Sequence, residues 1–158
     1  MKVHLLRRAQ TIGLPRDTVF AFFARPENLE RITPRGLAFT ILTPGPIVMK
    51  AGALIEYAIR LMGVPMRWTT LITAYDPPRS FVDEQLRGPY SFWHHRHLFY
   101  ETDDGTEIVD EVHYALRGGF LAPMIHALFV RRQLEQIFDH RAVIIEQELM
   151  KDQGGSGR

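Results

Sequence analysis

The sequence predicts an α+β domain in which an antiparallel sheet packs against one long C-terminal helix. Three observations lead to this prediction: a long helical pattern lies near the C-terminal end, several segments with alternating apolar residues precede it, and short turns separate those segments. Successive strands that are joined by short turns pair antiparallel, and a sheet of that kind, when it curves, can wrap a long helix.

The helical pattern spans residues 119–150. Its apolar residues recur three or four positions apart, which is the period of one helix face. They are Leu121, Met124, Ile125, Leu128, Leu134, Ile137, Phe138, Ile144, Ile145 and Leu149. Pro123 fits only in the first turn of this helix. A helix with so wide an apolar face needs a large partner surface, which the preceding residues should supply.

The chain begins with a predicted strand over residues 3–12, and two short helices follow it. Residues 14–17 open the first helix, whose apolar side carries Val19, Phe20, Phe22 and Phe23, and Arg25-Pro26 ends it. A second helix over residues 27–32 stops at Thr33-Pro34. Helices in this position indicate a lid or a brace at one end of the sheet.

Six further strands are predicted from alternation of apolar and polar residues. They cover residues 37–41, 55–61, 68–74, 81–87, 91–101 and 106–116. Gly63-Val64-Pro65 is expected to turn the chain between the second and third of these strands. Asp103-Asp104-Gly105 joins the last two strands, and Asp-Gly between alternating runs is a strong hairpin signal.

The inner face of this last hairpin is unusually polar. With Asp104-Gly105 as the turn, His97 opposes Val112 and lies diagonal to Asp110. The same register puts Trp93, His95, His97, Asp110 and Tyr114 on one face. Buried polar groups need partners, so this face is either a His–Asp network that braces the sheet or the wall of a cavity. A catalytic role for His95, His97 and Asp110 is a third interpretation.

Metal binding is a further possibility that the His-x-His pattern raises. His95 and His97 with Glu101 resemble the first metal motif of the cupins, but the second motif is absent from the sequence and a long C-terminal helix does not suit that fold. We therefore predict no metal and no other cofactor. Zinc or iron bound through His95, His97 and Asp110 stays open as an alternative.

The strand over residues 81–87 has two possible orientations. A three-residue loop at Gly88-Pro89 would turn Phe81, Asp83 and Gln85 inward. A two-residue loop would turn Val82, Glu84 and Leu86 inward instead, and the sequence does not decide between them.

Size and charge narrow the classes of function. The chain has 158 residues, a net charge of +1 and no cysteine, which favours one domain without disulfides and without a nucleic-acid partner. No apolar stretch reaches the roughly 18 residues of a membrane span. We expect a cytoplasmic protein with a ligand-binding domain over residues 1–151 and a flexible tail over residues 152–158. The oligomeric state is left open.

Four stretches carry a resemblance to a known superfamily. They are PENLERITP at 26–34, FVDEQLRGPYSFWHHRHLF at 81–99, DGTEIVDEVHY at 104–114 and LFVRRQLEQIFDHR at 128–141. Over residues 3–150 the chain resembles the START-like (SRPBCC) superfamily, and within it the polyketide cyclase/dehydrase branch.

This resemblance implies a helix-grip fold, in which a seven-stranded antiparallel sheet curls around the C-terminal helix and leaves a deep cavity for lipids, sterols, polyketides or other apolar molecules. By position, the implied lining is Tyr57, Trp68, Trp93, His95, His97, Asp110 and Tyr114 from the sheet, with Met124, Leu128 and Phe138 from the helix. Asp83 and Gln85 join this ligand-binding set if their strand turns that face inward.

Two main hypotheses of function follow, and the sequence favours the first. The chain would bind a small hydrophobic or aromatic ligand, lipid-like or polyketide-like, without catalysis. Alternatively it would be a cyclase or dehydratase for a polyketide-like substrate, with His95 or His97 as general acid or base, Asp110 tuning them and Tyr114 polarising a carbonyl. A module that recruits a protein partner through its surface is a third hypothesis.

Overall fold

The computed structural model of the chain describes residues 1–121, 124 and 126–155. Within these residues lie seven strands and three α-helices. In chain order they are β1 (His4–Ile12), α1 (Arg16–Phe23), α2 (Asn28–Ile32), β2 (Thr40–Ile41), β3 (Leu54–Leu61), β4 (Val64–Asp76), β5 (Ser80–Arg87), β6 (Tyr90–Thr102), β7 (Gly105–Leu116) and α3 (Arg131–Gly154). No helix in this part of the chain is long and apolar enough to cross a membrane.

The strands form one antiparallel sheet in the order β1-β7-β6-β5-β4-β3-β2. Every neighbouring pair in this order is antiparallel, and β1 and β2 are the two edges. The predicted class, a seven-stranded antiparallel sheet with one long C-terminal helix, is confirmed. The long hairpin of β6 and β7 lies next to β1 on one side and β5 on the other, so the central strands carry the polar residues singled out above.

The turn of the β6–β7 hairpin differs by one residue from the predicted one. Thr102 pairs with Gly105, so the turn is Asp103-Asp104 and not Asp104-Gly105. Gly105 begins β7 with φ +125°, and a side chain there would collide with the backbone oxygen of Ile12. The change moves the pairing by two residues, which preserves the predicted faces because side chains alternate with a period of two.

Two other strand predictions need correction. The predicted strand over residues 37–41 shrinks to Thr40–Ile41, because Leu37 ends a 3₁₀ turn and Ala38 has φ +45°. The β3–β4 turn is Met62-Gly63, with φ of +51° and +78°, so β4 begins at Val64 instead of residue 68. Positive φ at both central residues is the geometry of the type I′ turn, whose twist suits a two-residue hairpin.

The regular part of the C-terminal helix starts later than the sequence pattern indicates. A 3₁₀ turn (Gly119–Leu121) and a π-helical segment (His126–Val130) precede α3. From Leu134 onward the predicted face is buried, at Leu134, Phe138, Ile145 and Leu149. Three earlier residues of the predicted face are exposed instead, namely Leu121, Met124 and Leu128, at 44%, 56% and 58%. Leu128 lies in the π-helical segment, whose wider winding changes the angle between successive side chains, so the α-helical period does not predict which ones are buried there.

Some predictions for this region fall wholly or partly outside the described residues. Pro123 and Ile125 lie outside them, as do residues 156–158 of the predicted tail. Residues 152–154 of that tail continue α3.

The two short helices pack where the brace was expected, over one end of the sheet. Phe20 and Phe23 of α1 contact Phe99 of β6, with ring centres 5.1 Å and 5.4 Å away. Arg31 of α2 forms ion pairs with Glu148 at 2.6 Å and Asp152 at 3.1 Å, both on α3. Because α1 covers the sheet and α2 is tied to α3, these helices close one end of the space between sheet and helix.

Candidate functional site

A cavity of about 160 Å³ lies between the inner face of the sheet and α3. Its lining is mostly apolar and includes Phe22, Phe23, Leu29 and Ile32 from α1 and α2, Ile55, Tyr57, Ile59, Trp68, Phe81, Tyr90 and Trp93 from the sheet, and Leu134, Ile137 and Phe138 from α3. Polar side chains enter this lining at few places, among them Thr70, Asp83, His95, His97 and Arg141. A largely apolar pocket with a few convergent polar groups is typical of small-molecule sites.

Four aromatic residues, Tyr57, Trp68, Tyr90 and Trp93, form one wall of the cavity and are called the aromatic wall below. Tyr57 stacks on Trp68 at 5.7 Å between ring centres, and the edge of Trp93 meets Trp68 at 5.2 Å. Tyr90 lies 4.8 Å from Trp93. Residues of neighbouring strands build this wall, since Tyr57 on β3 pairs with Trp68 on β4.

The aromatic wall carries one buried polar atom without a partner. The indole Nε1 of Trp68 makes no hydrogen bond to any described residue, and only 6% of this tryptophan is exposed. The phenol of Tyr57 instead shares a hydrogen bond with Thr70, and burial raises the pKa of Tyr57 far above that of a free phenol. Burial also raises the pKa of Tyr90, so both phenols remain neutral in the cavity wall.

The polar part of the site is a cluster of Asp83, His95, His97 and Asp110, called the tetrad below. His97 Nε2 donates a hydrogen bond to Asp83 Oδ2 at 2.7 Å, and His95 Nε2 donates one to Asp110 Oδ1 at 2.8 Å. His95 Nδ1 lies 3.5 Å from Asp83 Oδ2. His97 Nδ1 lies 3.0 Å from Asp110 Oδ1, although its direction does not make a hydrogen bond. Each imidazole therefore contacts both carboxylates.

Strand register explains why these four residues meet. Asp83 on β5 pairs with His95 on β6, and His97 on β6 pairs with Asp110 on β7. Residues two apart on β6 share a face, so both imidazoles point to the same side, with ring centres 3.7 Å apart and planes tilted by 34°. The ring of Phe81 stacks on His97 with ring centres 4.1 Å apart, which restricts the orientation of the His97 imidazole.

The surroundings in the tetrad shift the pKa values of its two histidines in opposite directions. Burial lowers the pKa of His95, and the nearby charge of His97 lowers it further. Burial also opposes the charge of His97, but its contacts with Asp110 and Asp83 outweigh burial and raise the pKa of His97. As the pH falls, His97 therefore takes up a proton before His95 does.

Both carboxylates of the tetrad stay ionised. Burial opposes the charge of Asp83, but the charge of His95 and the hydrogen bond from His97 outweigh it and lower the pKa of Asp83. The hydrogen bond from His95 and the close approach of His97 likewise overcome burial at Asp110 and hold the pKa of Asp110 well below its usual range. The cluster therefore places two carboxylates against two buried imidazoles, and Arg141 adds a nearby positive charge.

The structure brings together seven of the residues predicted to bind a ligand. Tyr57, Trp68, Asp83, Trp93, His95, His97 and Phe138 all line the cavity. Of the two orientations left open for β5, the structure has the one that turns Phe81 and Asp83 toward the cavity, where both line the wall. Whether these residues contact a ligand stays a prediction.

The other five predicted site residues do not line the cavity. Gln85 bonds to the backbone of Tyr90 across the β5–β6 turn. Asp110 lies behind the histidines in a crevice between β1, β7 and α3. Tyr114 lies in a polar groove beside His4 of β1. Met124 and Leu128 are exposed, and Leu128 lies in the π-helical segment described above.

Sequence reasoning missed several lining residues. Tyr90 follows the Gly88-Pro89 turn and was left out of the strand that it begins. Leu134, Ile137 and Arg141 lie within four positions of Phe138, so the helix period contained the signal for Leu134 and Arg141. The lining residues of α1 and α2 had no sequence signal for this position. Tertiary packing decides which end of the sheet these helices cover.

Comparison with known proteins gives a family match over most of the chain. The family model described as "polyketide cyclase / dehydrase and lipid transport" matches residues 12–143. No protein of curated function matches the sequence.

Solved structures share the fold at low sequence identity. The Zhui aromatase/cyclase from Streptomyces sp. R1128 is 16% identical with a TM-score of 0.76, and the alignment covers 99% of this chain and 99% of that one. TTHA0849 from Thermus thermophilus is 14% identical with a TM-score of 0.73, over 96% and 99% of the two chains. The di-domain aromatase/cyclase StfQ of the steffimycin biosynthetic pathway is 11% identical with a TM-score of 0.72, over 96% of this chain and 52% of StfQ. At these identities the likeness concerns the fold alone.

Proposed function

We propose, from the premise that this chain belongs to the polyketide cyclase/dehydrase and lipid transport family, that it binds a small aromatic or other hydrophobic molecule between its sheet and α3. The observation that carries the proposal is the cavity itself, which is walled by aromatic side chains and closed at one end by α1 and α2. A sheet and helix packed without a cavity would have excluded this function.

The size and chemistry of the cavity favour a compact ligand. A volume of about 160 Å³ is close to that of an engineered apolar cavity that holds benzene, at roughly 150 Å³. A ligand built on one or two aromatic rings is therefore the size that we expect. The unpartnered Nε1 of Trp68 would donate a hydrogen bond to an oxygen of such a ligand. That bond would satisfy a donor whose burial is otherwise unfavourable.

Native mass spectrometry of freshly purified protein, followed by extraction, is the first test of this proposal. We expect a co-purifying apolar molecule with at least one ring and one oxygen atom. Calorimetric titration of the ligand-free protein with 2-naphthol then measures the affinity of the cavity for an aromatic molecule.

A cavity-filling variant makes this titration specific. Ile137→Trp adds bulk to the lining from α3, and Val143→Trp adds similar bulk at a position of α3 that is 55% exposed. We expect Ile137→Trp to weaken 2-naphthol binding at least about tenfold and Val143→Trp to leave it unchanged. Equal affinities for the two variants would place the ligand outside the cavity and contradict the proposal.

A cyclase or dehydratase is the second candidate function, and the cavity-facing part of the tetrad favours it. Asp83, His95 and His97 line the cavity beside the aromatic wall, within reach of a bound molecule. An imidazole held by a carboxylate is a common general acid or base. Tyr114 drops out of the predicted mechanism, because it lines a different groove.

Turnover of the extracted molecule, or of its open-chain precursor, tests this second function. His97→Ala should abolish loss of water or ring closure, whereas His94→Ala, on the opposite face of β6, should not. Unchanged turnover in His97→Ala would leave ligand binding as the function and remove the catalytic alternative.

A further inference from the structure

Three side chains of the tetrad bring ligand atoms to one point of the cavity wall. One oxygen of Asp83 and one nitrogen each of His95 and His97 lie within 4.8 Å of one another. Asp83 Oδ2 is 2.7 Å from His97 Nε2 and 3.5 Å from His95 Nδ1. Ligand atoms that bind one metal ion at about 2.1 Å are separated by roughly 3.0–3.4 Å. Modest side-chain movements, on the order of 1 Å, would therefore let all three bind the same ion.

We propose that Asp83, His95 and His97 bind a divalent transition-metal ion whose open coordination positions face the cavity. Two imidazoles and one carboxylate are typical ligands of zinc and of non-haem iron(II), whereas magnesium and calcium prefer sites made of oxygen atoms. Three protein ligands leave at least one position for water or for an oxygen atom of a ligand. The carboxylate is Asp83 of β5, and not Asp110, which the sequence had offered as the third ligand.

Asp110 has the position of a supporting carboxylate in such a site. Its Oδ1 lies 2.8 Å from His95 Nε2 and 3.0 Å from His97 Nδ1. These are the ring nitrogens that do not face Asp83. Metal-binding histidines usually donate their second N–H to a carboxylate or carbonyl, which fixes the tautomer and the ring orientation. Here a single carboxylate would hold both imidazoles.

Charge balance supports the same assignment. The two carboxylates bring two negative charges into a place where both imidazoles are only 4% exposed. A divalent ion with two neutral imidazoles would balance these charges, and buried charges without compensation are strongly unfavourable. All four side chains stand on adjacent strands of one sheet, so the backbone already holds the ligands in position before an ion binds.

The other face of the same strands offers a matched comparison. His94 on β6 lies 3.7 Å from Glu84 and has His113 as a ring neighbour at 6.2 Å. This outward group has the residue types of a weak surface metal site but faces away from the cavity. A variant at His94 therefore separates the proposed site from metal binding at the surface.

Titration of untagged, chelator-treated and ligand-free protein with Co²⁺ tests the proposal. Visible d–d absorption reports nitrogen and oxygen coordination, and calorimetry gives the stoichiometry and affinity. We expect one Co²⁺ per chain for the wild type and for His94→Ala. Asp83→Asn and His97→Ala should weaken binding at least about 100-fold, and Asp110→Asn about 10- to 100-fold, as for other supporting residues.

Circular dichroism of each variant shows whether it is folded. Asp83→Asn preserves the size and shape of the side chain, so it tests the site if His97→Ala does not fold. Absence of a d–d band in the wild type would overturn the proposal. So would loss of the ion in His94→Ala together with its retention in Asp83→Asn. Because the protein is free of organic ligand, this result does not depend on the function proposed above.

Discussion

The imidazole of His97 lies opposite Asp110 on β7, yet its Nε2 hydrogen bonds to Asp83 on β5 at 2.7 Å. His95 shows the reverse arrangement, because it lies opposite Asp83 and hydrogen bonds to Asp110 at 2.8 Å. The two adjacent rings therefore link β6 to β5 and to β7 through their hydrogen bonds. Removing any one side chain of the tetrad changes the surroundings of the other three, so its members should behave as a unit in mutational tests.

The first prediction concerns the protonation of the two rings in metal-free protein. The pKa of His97 should lie above the 6.5 of an exposed histidine and the pKa of His95 below it. The contribution of His97 to the free energy of unfolding is then fully present below pH 6.5 and is lost as the pH rises through its folded pKa. The contribution of His95 has the opposite sign: it is present above pH 6.5 and is lost as the pH falls through its folded pKa.

Nitrogen-15 NMR of the two rings across a range of about pH 4–9 measures these pKa values directly, and urea unfolding over the same range measures the free energy. We expect stability to fall on both sides of a maximum near neutral pH. A common pKa of about 6.5 for both rings would contradict the arrangement of the tetrad.

The second prediction concerns the carboxylate behind the rings. Asp110→Asn should lower the free energy of unfolding by about 3 kcal/mol, because it removes the charged oxygen that both buried imidazoles contact. Glu111→Gln is the matched control on the same strand, where the carboxylate contacts Arg7 and Arg96 on the outer face. We expect the control to cost less than about 1 kcal/mol, as exposed ion pairs do. Equal losses of unfolding free energy in the two variants, measured by urea unfolding, would mean that Asp110 stabilises the fold no more than an exposed ion pair does.

The third prediction separates the two polar groups of the aromatic wall. Trp68→Phe removes an N–H without a partner, so the free energy of unfolding should stay within about 1 kcal/mol of the wild type. Tyr57→Phe instead breaks a hydrogen bond with Thr70 and should cost about 1 kcal/mol.

Binding of the aromatic probe should separate these two variants more clearly than stability does. Trp68→Phe should weaken 2-naphthol binding about three- to tenfold, since it loses the free donor in the cavity. Tyr57→Phe should have the smaller effect in the same calorimetric titration. A weaker effect of Trp68→Phe than of Tyr57→Phe would argue against a hydrogen bond from Nε1 to the ligand.

The sequence predicts the inner face of the β6–β7 hairpin well because strand periodicity tolerates a register error of two residues. The predicted turn was wrong by one position, and yet His95, His97 and Asp110 still share one face, now with His97 directly opposite Asp110. The orientation of Asp83 could not be predicted, since loops of two and three residues turn opposite faces of β5 inward.

The helix shows the limit of the same kind of reasoning. The α-helical period locates Leu134 and Phe138 on the buried face, but it also assigned Met124 and Leu128 to the cavity lining. Both residues lie before α3 begins at Arg131, and a π-helical segment such as the one that holds Leu128 has no clear sequence signal. Tyr114 illustrates a different limit: it is buried on the inner face, but it lines a separate groove with β1 and α3 instead of the cavity.

The fourth prediction concerns the glycine that starts β7. Gly105→Ala should destabilise the protein by about 2–4 kcal/mol, because φ is +125° and the added Cβ would meet the backbone of Ile12 and Gly13. Gly52 is the control, with φ +88° and open space around the added carbon. Gly52→Ala should cost about 1 kcal/mol from strain alone. Urea unfolding of both variants measures the difference, and equal costs would show that the contact with Ile12 relaxes freely.

The fifth prediction concerns Phe138, which separates the cavity from the crevice that holds Asp110. Its ring centre lies 5.7 Å from that of His95, and Cζ of the Arg141 guanidinium lies over the ring at 5.1 Å from its centre. Both the cavity and the crevice include Phe138 in their lining, so its removal should join them. Phe138→Ala should therefore cost about 3–5 kcal/mol, because it deletes a buried aromatic ring and leaves a cavity.

The same substitution should change the size of ligand that the protein accepts. Affinity for a three-ring probe such as 9-anthracenol should rise relative to 2-naphthol, since the joined space is longer than the original cavity. Phe129→Ala is the control, because Phe129 is 52% exposed and its loss should change neither stability nor ligand preference. Calorimetric titration of both variants with both probes measures this preference. An unchanged preference in a folded Phe138→Ala protein would mean that the neighbouring side chains close the gap.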